Sequence, residues 1–150
     1  MKLTIAGTGY VGLVTGTGFA NLGNDVICLD INKTKMDMLA EGVMPIYEPG
    51  LKEIYQRNLK AGRLKFTTDA LKAVQESEIV FICVNTPTNE HQEAELTAVK
   101  EVAKAVGQHM NEYKLVVNKS TVPVGTADLV KNILIENQTK HIEVDVVSNP

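Results

Sequence analysis

Three glycines, one aspartate and two proline-containing loops hold the residues of this sequence that could do chemistry. Gly7, Gly9 and Gly12 give the spacing GxGxxG inside the opening stretch MKLTIAGTGYVG. Where a strand turns into a helix, the first glycine of that spacing makes the tight turn and the second lets a pyrophosphate approach the backbone. The third lets the helix pack close to the sheet, and the phosphates sit at the positive N-terminal end of the helix. The hexapeptide alone describes an ordinary turn equally well. Its context is more selective: Gly12, Gly16 and Ala20 fall at i, i+4 and i+8, so one helical face is almost bare of side chains, and Gly23 follows as a C′ residue.

Asp30 lies eighteen residues beyond Gly12, at the end of the next apolar run. At that spacing an acidic side chain accepts hydrogen bonds from an adenosine ribose and repels a 2′-phosphate, which predicts NAD rather than NADP. The plainer reading is an aspartate that faces solvent or starts the following helix. Lys35, one turn on, can reach the same ribose or a phosphate, or stand as a solvated lysine. Asn85-Thr86-Pro87-Thr88 and Ser120 to Thr126 offer hydroxyls and amides at two further strand ends, where a nicotinamide and a substrate would meet. Pro87 and Pro123 stiffen these loops. Glu48-Pro49-Gly50 serves either to start a helix or to meet a substrate.

The elements that must position these residues follow from the apolar pattern. Strands are expected at Lys2 to Ala6, Val26 to Asp30, Leu64 to Thr67, Ile79 to Val84, Leu115 to Asn118 and Val144 to Ser148. Six strands alternating with helices read as a parallel sheet. Between the second and third strands two helices are expected. One is capped by Asn32, turns Met36, Leu39 and Ala40 inward and stops at Gly42. The other opens at Pro49, carries Leu51, Ile54, Tyr55 and Leu59, and ends at Gly62. A short helix begins at Thr68 and Asp69 with Leu71 and Val74 inward. Longer ones carry Leu96, Val99, Ala103, Val106 and Met110, and then Leu129, Val130, Ile133 and Leu134. These stripes are packing surfaces, not cofactor sites.

With 150 residues the chain suits one domain, and 44% hydrophobic with 22% charged residues is the composition of a soluble globular protein. No apolar run approaches ~18 residues and the N-terminus lacks a signal-peptide core, so no membrane association and a cytoplasmic address are expected. A net charge of −3 without basic clusters argues against nucleic acid. Cys28 and Cys83 lie inside apolar runs and are expected as buried, reduced thiols. His91, His109 and His141 show no metal-ligand spacing, so no metal is expected. The sequence stops at Ser148-Asn149-Pro150, just after a strand and where ligand-binding loops would follow. Residues 1–150 are therefore expected to be one nucleotide-binding domain of a larger enzyme.

GTGYVG with Asp30 and Lys35, then YEPGL from Tyr47, GRLKFTTD from Gly62, FICVNTPT from Phe81 and KSTVPVGT from Lys119 together resemble the nucleotide-sugar 6-dehydrogenases of the UDP-glucose/GDP-mannose dehydrogenase family. The resemblance runs the length of the chain and is nearest to the members acting on UDP-glucose. It implies a Rossmann-type doubly wound α/β fold of six mainly parallel strands in the order 3-2-1-4-5-6. The implied enzyme oxidises the C6 alcohol of a UDP-sugar to the carboxylate with two NAD. Gly7, Gly9 and Gly12, with the amides of Tyr10 and Val11, would hold the pyrophosphate, and Asp30 and Lys35 the adenosine end. Thr86 and Thr121 would line the nicotinamide side, with Thr121 also helping to position a catalytic water. The nucleophilic cysteine, the catalytic lysine and asparagine, a central helix and the UDP-sugar-binding domain would lie beyond Pro150, in a homodimer that serves polysaccharide biosynthesis. This chain would then bind NAD without turnover.

Two departures stand out. Asn85 occupies a place often held by glycine, and Glu90 to Leu96 (EHQEAEL) lacks the glycine and aspartate of a GxADL pattern, with Glu95 in the aspartate's place. Enzymes acting on GDP-mannose share the early motifs, and those acting on UDP-N-acetylmannosamine resemble the chain less. A non-catalytic NAD-sensing domain would need the glycine turn and Asp30 but gives no reason for KSTVPVGT or YEPGL. A hydroxyacid or 6-phosphogluconate dehydrogenase would share fold and cofactor without the later loops.

Overall fold

β-branched runs and helical stripes alternate in the computed structural model as the sequence pattern requires. It describes residues 1–88 and 94–150, so Asn89 to Glu93, His91 among them, lie outside the described residues. The strands are β1 (Lys2–Ala6), β2 (Asp25–Leu29), β3 (Leu64–Thr67), β4 (Ile79–Ile82), β5 (Lys114–Asn118) and β6 (Val144–Ser148). The helices are α1 (Tyr10–Asn21), α2 (Lys33–Ala40), α3 (Leu51–Lys60), α4 (Ala70–Gln75), α5 (Thr97–His109) and α6 (Thr126–Asn137).

The six strands form one sheet in the order β3-β2-β1-β4-β5-β6, and every pairing is parallel. This is the Rossmann-type order, with the switch point between β1 and β4. Alternate residues along each strand feed two cores, because successive side chains point to opposite faces. Leu3, Ile5, Val26 and Cys28 pack with Leu13 and Ala20 of α1, Met36 and Leu39 of α2 and Tyr55 of α3. Val80, Ile82 and Val116 pack with Val74 of α4, Val99, Ala103 and Val106 of α5 and Val130 and Leu134 of α6. The buried Tyr55 hydroxyl donates to the Leu39 carbonyl and so joins α3 to α2.

Local details depart from the sequence pattern in five places. Asp30 lies just past β2, and β4 ends before Cys83. The N-cap of α3 is Gly50 at φ +77°, so Pro49 precedes the helix instead of opening it. Leu71 is exposed, and the inner face of α4 is made by Ala73 and Val74. Ala40 is likewise exposed, leaving Met36 and Leu39 to bury α2.

The second core has its own glycine. A Cβ at Gly107 would lie 2.6 Å from the Leu134 carbonyl oxygen and 3.2 Å from Asn137 Cβ, so α5 and α6 approach backbone to backbone. Gly107→Ala is expected to push the helices apart and lower stability by about 1–3 kcal/mol. Urea unfolding should show that loss while NAD affinity stays unchanged, since the contact lies away from the sheet end described next.

Candidate functional site

The carboxyl ends of β1, β2, β4 and β5 bring the chemistry-bearing residues together. After β1 the chain turns sharply. Gly7 stands at φ +99°, its N–H donates to the Leu29 carbonyl at 2.8 Å, and a Cβ there would lie 2.6 Å from the Cys83 carbonyl oxygen. At Gly12 a methyl group would overlap the Gly7 carbonyl oxygen outright. Both positions therefore require glycine in the domain's own packing. Gly9 does not. Its φ is −68°, and a Cβ there would meet only Asn85 Oδ1, at an ordinary 3.5 Å. The space in front of Gly9 is left free for something outside the chain.

What faces that space is a helix end without a cap. No side chain caps α1, and its first internal bond runs from the Leu13 N–H to the Gly9 carbonyl. Among the described residues the N–H groups of Tyr10, Val11 and Gly12 have no acceptor. Three aligned donors at the positive end of a helix form a seat for an anion. These features fit the pyrophosphate of a dinucleotide, and they bring together Gly7, Gly9, Gly12, Tyr10 and Val11.

Asp30 stands beside this seat, with more partners than its sequence position suggests. Its Oδ2 accepts from the Thr8 amide at 3.0 Å and the Thr8 hydroxyl at 2.6 Å, and Lys35 Nζ lies 3.5 Å away. Its Oδ1 accepts from the Asn32 amide at 3.1 Å. Partial burial pushes the carboxyl upward, but the bonds from Thr8 and Asn32 together with the Lys35 charge outweigh it and hold the group below the ordinary aspartate value. A carboxylate that stays ionised and keeps a lone pair on Oδ1 can accept from ribose hydroxyls. Asn32 caps α2 by accepting from the Lys35 amide, which fixes where Lys35 leaves the helix.

The opposite wall comes from the loops after β4 and β5. A cleft of about 200 Å³ is lined by Gly9, Tyr10 and Val11 on one side and by Cys83 to Thr86 and Lys119 to Thr121 on the other. Thr86 Oγ1 donates to the Thr121 carbonyl at 2.8 Å, so the two loops are tied together at the two threonines expected near the nicotinamide. Ser120 is the second tie: its buried hydroxyl donates to the Val84 carbonyl at 2.7 Å. The hydroxyl of Tyr10 donates to Glu48, which brings the loop before α3 against the cleft and raises the tyrosine's pKa above its ordinary value.

Sequence reasoning missed Thr8, and it named Ser120 only for its hydroxyl in the loop after β5, not as a tie to the loop after β4. Each is a small hydroxyl residue inside a motif, and only the meeting of strand ends reveals its partner. Cys28 and Cys83 are buried as expected. Burial pushes both thiols up, Cys83 to about 11 even with Lys119 drawing it back, so neither is a poised nucleophile. Among the described residues no group of three or more His, Cys, Asp or Glu could hold a metal ion, and no helix is long and apolar enough to cross a membrane.

Comparison with known proteins identifies the family. The model of the UDP-glucose/GDP-mannose dehydrogenase family, NAD binding domain, matches residues 1–150. UDP-glucose 6-dehydrogenase TuaD of Bacillus subtilis is 50% identical over 149 residues, which are 99% of this chain and 32% of that protein. A UDP-glucose dehydrogenase from Pyrobaculum islandicum superposes with a TM-score of 0.91 at 38% identity, over 99% of this chain and 36% of its own. A GDP-mannose dehydrogenase from Pseudomonas aeruginosa gives 0.91 at 34% identity, over 100% of this chain and 36% of its own. The chain thus spans about a third of the length of these relatives. With its glycine turn, its ionised aspartate and a family model matched from end to end, the chain belongs to the UDP-glucose/GDP-mannose dehydrogenase family, as its NAD-binding domain.

Proposed function

We propose that this domain is the cofactor half of an NAD-dependent UDP-glucose 6-dehydrogenase, which oxidises the C6 alcohol of UDP-glucose to the carboxylate in two steps with two NAD. The observation that carries the reading is the convergence on one cleft of free helix-end amides and two tied threonine loops, in a chain half identical to a UDP-glucose enzyme. NAD bound there would supply the acceptor for hydride from the sugar C6.

In this reading the turn from Gly7 to Gly12, with the Tyr10 and Val11 amides, takes the pyrophosphate. Asp30 accepts from the adenosine ribose, and Lys35 supports it. Thr86 and Thr121 flank the nicotinamide, and Thr121 orients a water toward the reacting carbon. The nucleophilic cysteine and most sugar contacts belong to the remaining two thirds of the protein, in a central helix and a UDP-sugar-binding domain of a cytoplasmic homodimer. The chain of residues 1–150 then binds NAD and turns nothing over.

A GDP-mannose enzyme is the second reading, because the Pseudomonas structure superposes as well as the Pyrobaculum one. The test is the intact protein with NAD and, in parallel, UDP-glucose, GDP-mannose or UDP-N-acetylmannosamine, followed by NADH absorbance. UDP-glucose is expected to react roughly tenfold faster or more than the others, since a site built to hydrogen-bond one sugar nucleotide rejects analogues that leave its polar groups unpaired. A preference for GDP-mannose would overturn the choice of sugar. NAD binding without NADH from any sugar would favour a sensing domain.

A further inference from the structure

The cleft wall opposite the glycine turn carries one charged side chain, Lys119. Its Nζ rests on two neutral oxygens, the Asn149 side-chain oxygen at 3.3 Å and the Asn149 carbonyl at 3.4 Å. Among the described residues no carboxylate lies within ion-pair distance of it. In a chain of net charge −3, a cation held by neutral groups at the rim of a ligand cleft is a charge without its complement. The glycine turn has the converse property. It offers amide dipoles to an anion but no side-chain cation, since TGYVG contains none.

The ammonium also bears on the cleft floor. Cys83 lies beneath Gly12, 3.4 Å from where a Cβ would stand, and the Lys119 charge acts on its thiol. Lys119 lines the same cleft as the seat of α1. In a cleft this small, a phosphoryl group resting on the Tyr10 and Val11 amides comes within the sweep of the flexible lysine stem.

Building on the NAD reading above, we propose that Lys119 is the charge complement of the dinucleotide pyrophosphate, and that Asn149, just past the neighbouring strand β6, is the positioning residue that fixes where its ammonium rests. Amides supply direction and the lysine supplies charge. Its two bonds to Asn149 are long and run to neutral oxygens, so an anion in the cleft competes for the ammonium.

The experiment is titration calorimetry of the chain with NAD, ADP-ribose and AMP at low and high salt. Lys119→Met is expected to weaken NAD and ADP-ribose alike, roughly tenfold or more, to leave AMP unchanged and to flatten the salt dependence of NAD binding. Lys119→Arg should retain both affinity and salt dependence, and Asn149→Ala should lie between. Unchanged NAD affinity in Lys119→Met would overturn the proposal, as would a loss shared equally by AMP or a loss with the salt dependence intact. Weakening of NAD but not ADP-ribose would overturn it too, by moving the lysine to the nicotinamide. If the unsubstituted chain fails to bind NAD, it is the reading of the domain that fails, not the role of Lys119 within it.

Discussion

Gly12→Ala is expected to abolish measurable NAD binding and to destabilise the domain. The added methyl would overlap the Gly7 carbonyl oxygen, and it would stand 3.0 Å from the Gly7 carbonyl carbon and 3.4 Å from Cys83 Cβ. Neither neighbour can retreat. Gly7 is held at φ +99° by its bond to Leu29, and the Cys83 amide is bound to the Ala6 carbonyl at 2.7 Å. The first turn of α1 must move instead, and its free amides move with it. Alanine gains about 1 kcal/mol over glycine as a helix former, which is less than the usual ~1–3 kcal/mol cost of forcing extra volume into a packed site. Gly18→Ala is the control, because it lies in the same helix with nothing within 4 Å of its Cβ position. That change should stabilise by several tenths of a kcal/mol and leave NAD affinity intact. Calorimetric titration and urea unfolding of both variants decide the matter. Normal NAD binding by Gly12→Ala would mean that the cofactor does not sit on this turn.

Asp30→Asn and Asp30→Ala are expected to separate two roles of one carboxylate. A charge-assisted bond to a ribose hydroxyl contributes about 1.5–3 kcal/mol, so either change should weaken NAD roughly 10- to 100-fold. Removing the negative charge also removes the repulsion of a 2′-phosphate, and the preference for NAD over NADP should fall toward unity. The two variants differ in stability. Asparagine keeps an oxygen for the Thr8 amide and hydroxyl, whereas alanine leaves both without a partner in a residue only 1% exposed, at a cost of about 1–3 kcal/mol. Acid should expose the same linkage. Because the folded-state pKa of Asp30 lies below the ordinary value of 3.8, its contribution is fully present above that value and is lost as pH falls through the lower folded one. Unfolding followed from about pH 5 downward should therefore decline more steeply in the unsubstituted chain than in Asp30→Asn. Equal affinity of the unsubstituted chain for NAD and NADP would refute the ribose assignment.

The glycine turn was legible in the sequence because Gly7 and Gly12 answer backbone requirements that no other residue meets, and such requirements leave a mark at fixed spacing. Strand identity and the parallel sheet were legible because β-branched runs recur at βαβ intervals, whereas the strand order came from the family resemblance. The ties across the site were not. Thr8 reaches Asp30, and Ser120 reaches Val84, only after two strand ends twenty to forty residues apart are set side by side, and a hydroxyl residue gives no sign of a distant acceptor. Leu71 was misplaced for a different reason. The six-residue α4 makes too few turns for a stripe to define its inner face, and Asp69 as N-cap sets the rotation that buries Ala73 and Val74. Pro49 was read as a helix opener because proline suits the first turn, but Gly50 takes the left-handed cap and the helix starts one residue later.

The position of β1 in the sheet also governs the order in which the chain can be assembled at the ribosome. Its pairing with β2 becomes available once Leu29 has emerged, but the opposite edge waits for Ile79 to Ile82. At about 5–20 residues per second, that edge stays open for several seconds, as a strand template for any other nascent chain nearby. The glycine turn waits as long, because Gly7 and Gly12 close against Cys83. A growing chain can therefore hold a dinucleotide only after more than half of the domain has been translated, and β1 is complete only once β4 has joined it.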